Sequence, residues 1–172
     1  MKNEVYWIQG PWPGRLGIVS RPRGGDWLED EVRSWRAAGL DIVVSLLTPG
    51  EVEEFDLGLE RELCLAQGIQ FRSFPIQDRG VPSSRESMVS LVKSLEKALR
   101  DGKNVAFHCR QGIGRSSLAA ASLLVSAGDR PDDAWGRIKN SRGLSVPDTP
   151  EQEQWVFEFA SAFFPARQFN RW

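Results

Sequence analysis

The sequence predicts an α/β fold of three layers, a central and mostly parallel sheet of about five strands flanked by helices. Three observations carry that expectation. From residue 41 onward, strand and helix signals alternate. Residues 41–47 form a nearly continuous apolar run, the pattern of a strand covered on both faces. Residues 104–124 read strand, loop, helix, with Val105-Ala106-Phe107 leading in and an Ala- and Leu-rich run leading out.

Taken in order, residues 5–8 and 16–20 are short apolar runs separated by Gly10-Pro11-Trp12-Pro13-Gly14, which implies a hairpin or two edge strands. Arg21-Pro22-Arg23-Gly24-Gly25 is a basic loop, in which solvated arginines are expected and substrate contact is the alternative. Asp26 is placed to cap a helix with Leu28, Val32, Trp35 and Ala38 on one face, stopping at Gly39. After the strand at 41–47, Thr48-Pro49 starts a short helix ending near Phe55, residues 57–67 form another closed by Gly68, and residues 69–76 form the next strand. Ser84 then opens a long amphipathic helix whose buried stripe is Met88, Leu91, Val92, Leu95, Ala98 and Leu99, ending at Asp101-Gly102. A strand over 103–108 precedes a helix reaching about Ala127, and Pro131 and Pro150 open the last two helices.

Composition bounds the function. A chain of 172 residues with 41% hydrophobic and 26% charged residues suits one compact domain over 1–172, with the tail 165–172 frayed. No apolar run is long enough to span a membrane, and the N-terminal residues lack the basic and apolar regions of a secretion signal, so a cytoplasmic location is expected. With 22 basic against 23 acidic residues, no global attraction to nucleic acid or to an anionic membrane is expected. Oligomeric state is left open. Two cysteines, Cys64 and Cys109, and the single His108 are too few for a tetrahedral zinc centre, so neither a metal nor another cofactor is expected. Cys64 reads as a small buried residue, with a redox bridge to Cys109 as the lesser alternative.

The chemistry concentrates between Cys109 and Arg115. A thiol at the junction of a strand and a helix N-terminus, among backbone N–H groups and a guanidinium, is stabilised as a thiolate and becomes a nucleophile. The intervening Arg110, Gln111, Gly112, Ile113 and Gly114 are enough chain to curl around one tetrahedral anion, the two glycines allowing successive N–H groups to turn inward. Arg115 adds a planar fork able to follow phosphoryl charge through transfer, and Ser116 offers a hydroxyl to the departing sulfur. A leaving alkoxide also needs a proton. His108 precedes the nucleophile on a strand and should face the other way, so it reads as structural. Asp78, on the loop after another strand, should emerge at the same sheet edge and supply the acid, then act as base toward water, with Asp41, Asp56 and Asp148 as the alternatives left open.

The stretch from His108 to Ser116 matches the His-Cys-x5-Arg-Ser/Thr signature of protein tyrosine and dual-specificity phosphatases. Residues 74–82 resemble the general-acid loop of the dual-specificity group, especially its kinase-associated phosphatase branch, and residues 41–55 are similar to that branch as well. The resemblance implies a cysteine-phosphatase fold and a phosphocysteine route with Cys109 as nucleophile, Arg115 on phosphate, Ser116 as donor to the leaving thiolate and Asp78 as general acid. It also suggests Gln152, or the neighbouring Gln154, for placing the hydrolytic water. A phosphorylated protein is the implied partner, on tyrosine and possibly on serine or threonine. Phosphoinositide, phosphoglucan or RNA 5'-phosphate substrates are the enzymatic alternatives, and a phospho-binding pseudophosphatase is the non-enzymatic one. No Trp-Pro pair precedes Asp78 and no phosphotyrosine-recognition loop is evident, which suggests a shallow, broadly selective pocket.

Overall fold

The computed structural model describes residues 4–163. Its sheet has five strands: β1 (Val5–Ile8), β2 (Leu16–Val19), β3 (Ile42–Ser45), β4 (Gln70–Ser73) and β5 (Val105–His108), in the spatial order β1-β2-β5-β3-β4. The hairpin pair β1 and β2 is antiparallel, and every other pairing is parallel. The helices are α1 (Leu28–Ala37), α2 (Pro49–Glu54), α3 (Glu60–Ala66), α4 (Arg85–Arg100), α5 (Arg115–Ser126), α6 (Pro131–Arg142) and α7 (Pro150–Phe163), with a 3-10 turn at Gly25–Trp27 before α1.

Strand periodicity makes the layers. In β3, Ile42 and Val44 join one apolar cluster, which α4 to α7 cover, while Val43 joins a second cluster formed with α1 and α3. The same alternation in β5 sends Val105 and Phe107 to the first cluster and Ala106 to the second. Three layers around a mostly parallel five-stranded sheet are thus borne out.

The strands expected over 41–47 and 103–108 form over Ile42–Ser45 and Val105–His108, and other local details differ as well. Only β1 is an edge strand of the hairpin, because β2 pairs in parallel with β5. Asp26 makes no cap. Gly25, at φ +59, is pinned by its N–H to Asp56 O at 3.1 Å, so the chain turns early into the 3-10 element and α1 starts from Trp27 with no side-chain cap. The helix expected over 57–67 forms only from Glu60. The strand expected over 69–76 ends as a ladder at Ser73, although Phe74 and Ile76 still donate to Ser45 O and Leu46 O at 2.8 and 3.0 Å; the intervening Pro75 has no N–H to give. The expectation for the tail 165–172 lies outside the described residues. Among the described residues, no helix is long and apolar enough to cross a membrane.

Parallel pairing brings the loops that follow β2, β3, β4 and β5 to one edge of the sheet, and that edge holds the chemistry.

Candidate active site

The interior strand β5 ends at His108, and the next residue, Cys109, is 2% exposed at the base of a loop that closes at Arg115, the first residue of α5. Gly112 sits at φ +69, where a β-carbon would be strained and would meet Ile18 at 3.2 Å. A β-carbon on Gly114 would lie 2.4 Å from Asp148 Oδ2 and 2.9 Å from Gln152 Oε1, so the absence of a side chain lets the segment before α7 close on the loop. Arg142 of α6 holds the outer side: its Nε donates to Gly112 O at 2.9 Å, its Nη2 to Gln111 O at 3.3 Å, and its guanidinium lies 3.9 Å from the Tyr6 ring centroid. Carbonyls of this loop therefore turn outward to Arg142. Among the described residues, no N–H from Arg110 to Gly114 donates to another backbone carbonyl. The hydroxyls of Ser116 and Ser117 are likewise buried with no partner among the described residues. Uncommitted donors curled over a helix N-terminus are an arrangement able to hold an anion.

Arg115 is fixed rather than free. Its side chain is 1% exposed and forms a fork–fork pair with Glu51 of α2, Nη1 to Oε2 at 2.8 Å and Nη2 to Oε1 at 2.9 Å. Nη1 also donates to Ile76 O at 2.8 Å, and Nη2 reaches Asp78 Oδ1 at 3.3 Å. Burial opposes the charge on Arg115, but Glu51, Cys109 and Asp78 outweigh it and raise its pKa. Burial likewise pushes the Glu51 carboxyl up. Hydrogen bonds from Arg115 and Thr48, with the charge of Arg115, overcome that and hold it at about 2. Glu51 thus does two jobs, since it also completes a capping box with Thr48 at the start of α2.

Asp78 stands half-exposed across a cleft of about 240 Å³ whose walls also include Cys109, Arg110, Arg115 and Asp148. Its loop turns sharply, with Arg79 at φ +60 and Gly80 N–H donating to Gln77 O at 2.8 Å. Gln152 is fully buried behind it. Its Oε1 accepts from the N–H groups of Asp148 and Thr149 at 3.0 and 3.3 Å, and its Nε2 donates to Gly80 O at 3.0 Å. Those bonds tie the loop of Asp78 to the start of α7. Gln154 lies away from this cleft on the exposed face of α7.

His108 faces the opposite layer, where Nε2 meets Glu60 Oε1 at 2.5 Å and the ring stacks on Trp35 with centroids 5.9 Å apart. Cys64 lies in that layer too, and burial, helped by Glu60, pushes its thiol up to about 12. The structure therefore gathers Cys109, Arg110, Gln111, Gly114, Arg115 and Asp78 around one cleft. It adds Glu51 and Arg142, for which the sequence assigned no place in the site, and it puts Asp148, one of the sequence alternatives to Asp78, on the same cleft. The Thr48-x-x-Glu51 spacing was a visible helix-start signal for Glu51; nothing local marked Arg142.

The family described as "Polymorphic toxin system, DSP-PTPase phosphatase" matches residues 17–129. The chain belongs to the DSP-PTPase phosphatases. Cyclin-dependent kinase inhibitor 3 of Sus scrofa is 28% identical over 134 residues, 77% of this chain and 63% of that protein. Protein tyrosine phosphatase domain-containing protein 1 of Bos taurus is 33% identical over 145 residues, 79% of this chain and 18% of its own length. Among solved structures, kinase associated phosphatase with its catalytic-site cysteine replaced by serine aligns at a TM-score of 0.86 and 21% identity, covering 98% of this chain and 99% of that one. The superfamily implied by residues 108–116 is therefore borne out, and this DSP-PTPase chain shares the fold of kinase associated phosphatase. It spans less than two thirds of the length of these curated relatives.

Proposed function

We propose that this chain is a metal-independent phosphatase that hydrolyses phosphotyrosine, and phosphoserine or phosphothreonine, in proteins through a phosphocysteine at Cys109. The observation that carries the reading is the convergence of Cys109, Arg115 and Asp78 on one cleft, over a loop of uncommitted N–H groups. The phosphoryl oxygens take those N–H groups and the Arg115 fork. A bound phosphate competes with Asp78 for Arg115 Nη2, which frees the Asp78 carboxyl for the leaving oxygen. Cys109 Sγ forms the S–P bond as the P–O bond breaks, and protonated Asp78 gives its proton to the departing oxygen. Water then attacks phosphorus, Asp78 takes its proton, the S–P bond breaks, and the Ser116 hydroxyl donates to the leaving thiolate. Gln152 serves this cycle by holding the Asp78 loop, since its amide is committed to backbone groups.

The walls favour a monoester on a protein over a multiply phosphorylated lipid headgroup. Asp78 and Asp148 face the cleft, and Arg110 is occupied by Glu54 at 3.0 Å and Glu51 at 3.6 Å. A second or third phosphate on the same headgroup, held inside the cleft, would meet the Asp78 and Asp148 carboxylates. The proposal includes one catalytic unit over 1–172 in a reducing cytoplasm, where Cys109 stays reduced.

The test is turnover of a small aryl phosphate between about pH 5 and 7, followed by phosphopeptides, a phosphoinositide, a phosphoglucan and a 5'-phosphorylated RNA. Cys109→Ser and Arg115→Ala are expected to abolish turnover, and Asp78→Asn to lower it about 100-fold or more. Full activity in Asp78→Asn would transfer the acid role to Asp148, the other carboxylate on the cleft. No turnover by the native chain with phosphopeptide binding intact would establish a pseudophosphatase.

A further inference from the structure

Arg21 stands on the loop after β2, and because β2 runs parallel to β5 that loop emerges beside the loop of Cys109. Its guanidinium lies 3.5 Å from the centroid of Phe55, the residue that ends α2. The guanidinium of Arg110, on the cleft wall, lies 4.8 Å from the same ring. One aromatic side chain therefore gathers two like charges at the mouth of the site.

The surrounding carboxylates are already engaged. Three acid–base neighbours matter to Arg21: burial lowers its pKa most, Arg110 lowers it further, and Glu54 and Glu51 oppose them. Glu51, however, is held bidentately by Arg115, and Glu54 by Arg110 at 3.0 Å. Among the described residues, Arg21 has no ion pair within 4.0 Å and no side-chain hydrogen bond. Its neighbour Arg23 is spent differently, on Glu31 at 2.6 Å and on the Trp27 ring. A guanidinium stacked by its face keeps its in-plane N–H groups at the edge, pre-ordered for a planar or tetrahedral anion. Arg110 is already paired with Glu54 and Glu51, which leaves Arg21 as the guanidinium on this ring with N–H groups for an incoming anion.

We infer that Arg21, seated on Phe55 beside Arg110, is a second anion subsite that selects phosphopeptides carrying an acidic group, a carboxylate or another phosphate, close to the phosphorylated residue. This rests on the phosphoprotein reading above. It assigns to Arg21 specificity rather than chemistry, because the aryl phosphate itself does not reach the subsite.

The experiment uses matched phosphopeptides that differ only in flanks of glutamate, phosphoserine or glutamine. Binding is read by fluorescence polarisation on Cys109→Ser protein, and kcat/KM on the active chain. The acidic flanks are expected to gain roughly five- to tenfold over the neutral one in both readouts. Arg21→Ala should erase that gain and Arg21→Glu invert it, with aryl phosphate turnover within about twofold of the native chain and an unchanged melting temperature. Arg21→Lys, which keeps charge but not the stacked fork, should retain only part of the gain. The glutamate and phosphoserine arms tell which anion is preferred. Equal binding of all three peptides by Cys109→Ser, or an acidic preference that survives Arg21→Ala and Arg21→Glu, overturns the subsite. Failure of the native chain to hydrolyse aryl phosphate while the Arg21-dependent binding preference persists sinks the phosphatase reading and leaves the subsite standing.

Discussion

Replacing Glu51 by alanine tests whether the site depends on a carboxylate that never touches substrate. Glu51 is 7% exposed and receives Arg115 at 2.8 and 2.9 Å and Thr48 N–H at 2.9 Å. Its loss strands the 1%-exposed Arg115 with Ile76 O and a 3.3 Å contact to Asp78, and also opens the capping box of α2. Removing one partner of a buried pair costs about 3–5 kcal/mol. The remaining contact to Asp78 recovers part, so about 3 kcal/mol is expected, a fall of roughly 6–12 °C in Tm for a chain of this size. Arg115 also loses its register, so kcat for an aryl phosphate should drop about 10- to 100-fold. The pH dependence has a definite sign. The Glu51 carboxyl is depressed from 4.5 to about 2, so its contribution is complete above about pH 4.5 and disappears as pH falls toward 2. Thermal melts of native and Glu51→Ala protein should therefore converge by roughly half at pH 3 relative to pH 7. A Tm change under about 2 °C at pH 7 with kcat retained, or a gap that does not narrow with acid, would refute the reasoning.

Three further outcomes follow from the same geometry. Gln152→Ala leaves the partly buried N–H groups of Asp148 and Thr149 without their side-chain acceptor and unties Gly80, so a loss of about 1 kcal/mol in denaturant melts is expected, together with lower kcat at nearly unchanged KM. Gly112→Ala forces a side chain onto φ +69 against Ile18, costing about 1–2 kcal/mol and weakening competitive inhibition by inorganic phosphate, measurable in aryl phosphate kinetics. The Cys64 thiol, pushed up to about 12 chiefly by burial, should resist iodoacetamide at pH 8 until denaturant is added. Peptide mass analysis should then find inactivation tracking Cys109 alone, with Cys64→Ala unchanged in rate.

The elements that sequence exposes are those whose cause is local. Thr48 before Pro49 starts α2, Ser84 caps α4 through Ser87 N–H at 3.2 Å, and the unbroken apolarity of residues 42–44 belongs to a strand with neighbours on both sides. Most of the missed details have distant causes, the ladder that stops before Pro75 being the local one. Asp26 has a capper's side chain, but Asp56 O fixes Gly25 and starts the turn before it. The segment after Ser73 keeps two hydrogen bonds to the β3 side and still stops being a ladder at a proline. Strand order is the largest such case: nothing within residues 16–19 tells whether β2 is an edge or lies beside β5.

That undetermined pairing decides what the site contains. Cys109, Gly112, Gly114 and Arg115 are legible because seven residues of chain suffice to bend around an anion. Asp78 is legible through one topological step, the shared edge of parallel strands. Glu51 carries a helix-start signal satisfied by Thr48, and its second role needs an arginine 64 positions away. Arg21 goes furthest from its sequence reading. In a basic Gly- and Pro-rich loop it looks solvated, and beside an edge strand it would be. With Leu16, Gly17 and Ile18 in parallel register with Val105, Ala106 and Phe107, the chain beyond Val19 is carried alongside Cys109, and Arg21 comes to rest on the same ring as Arg110.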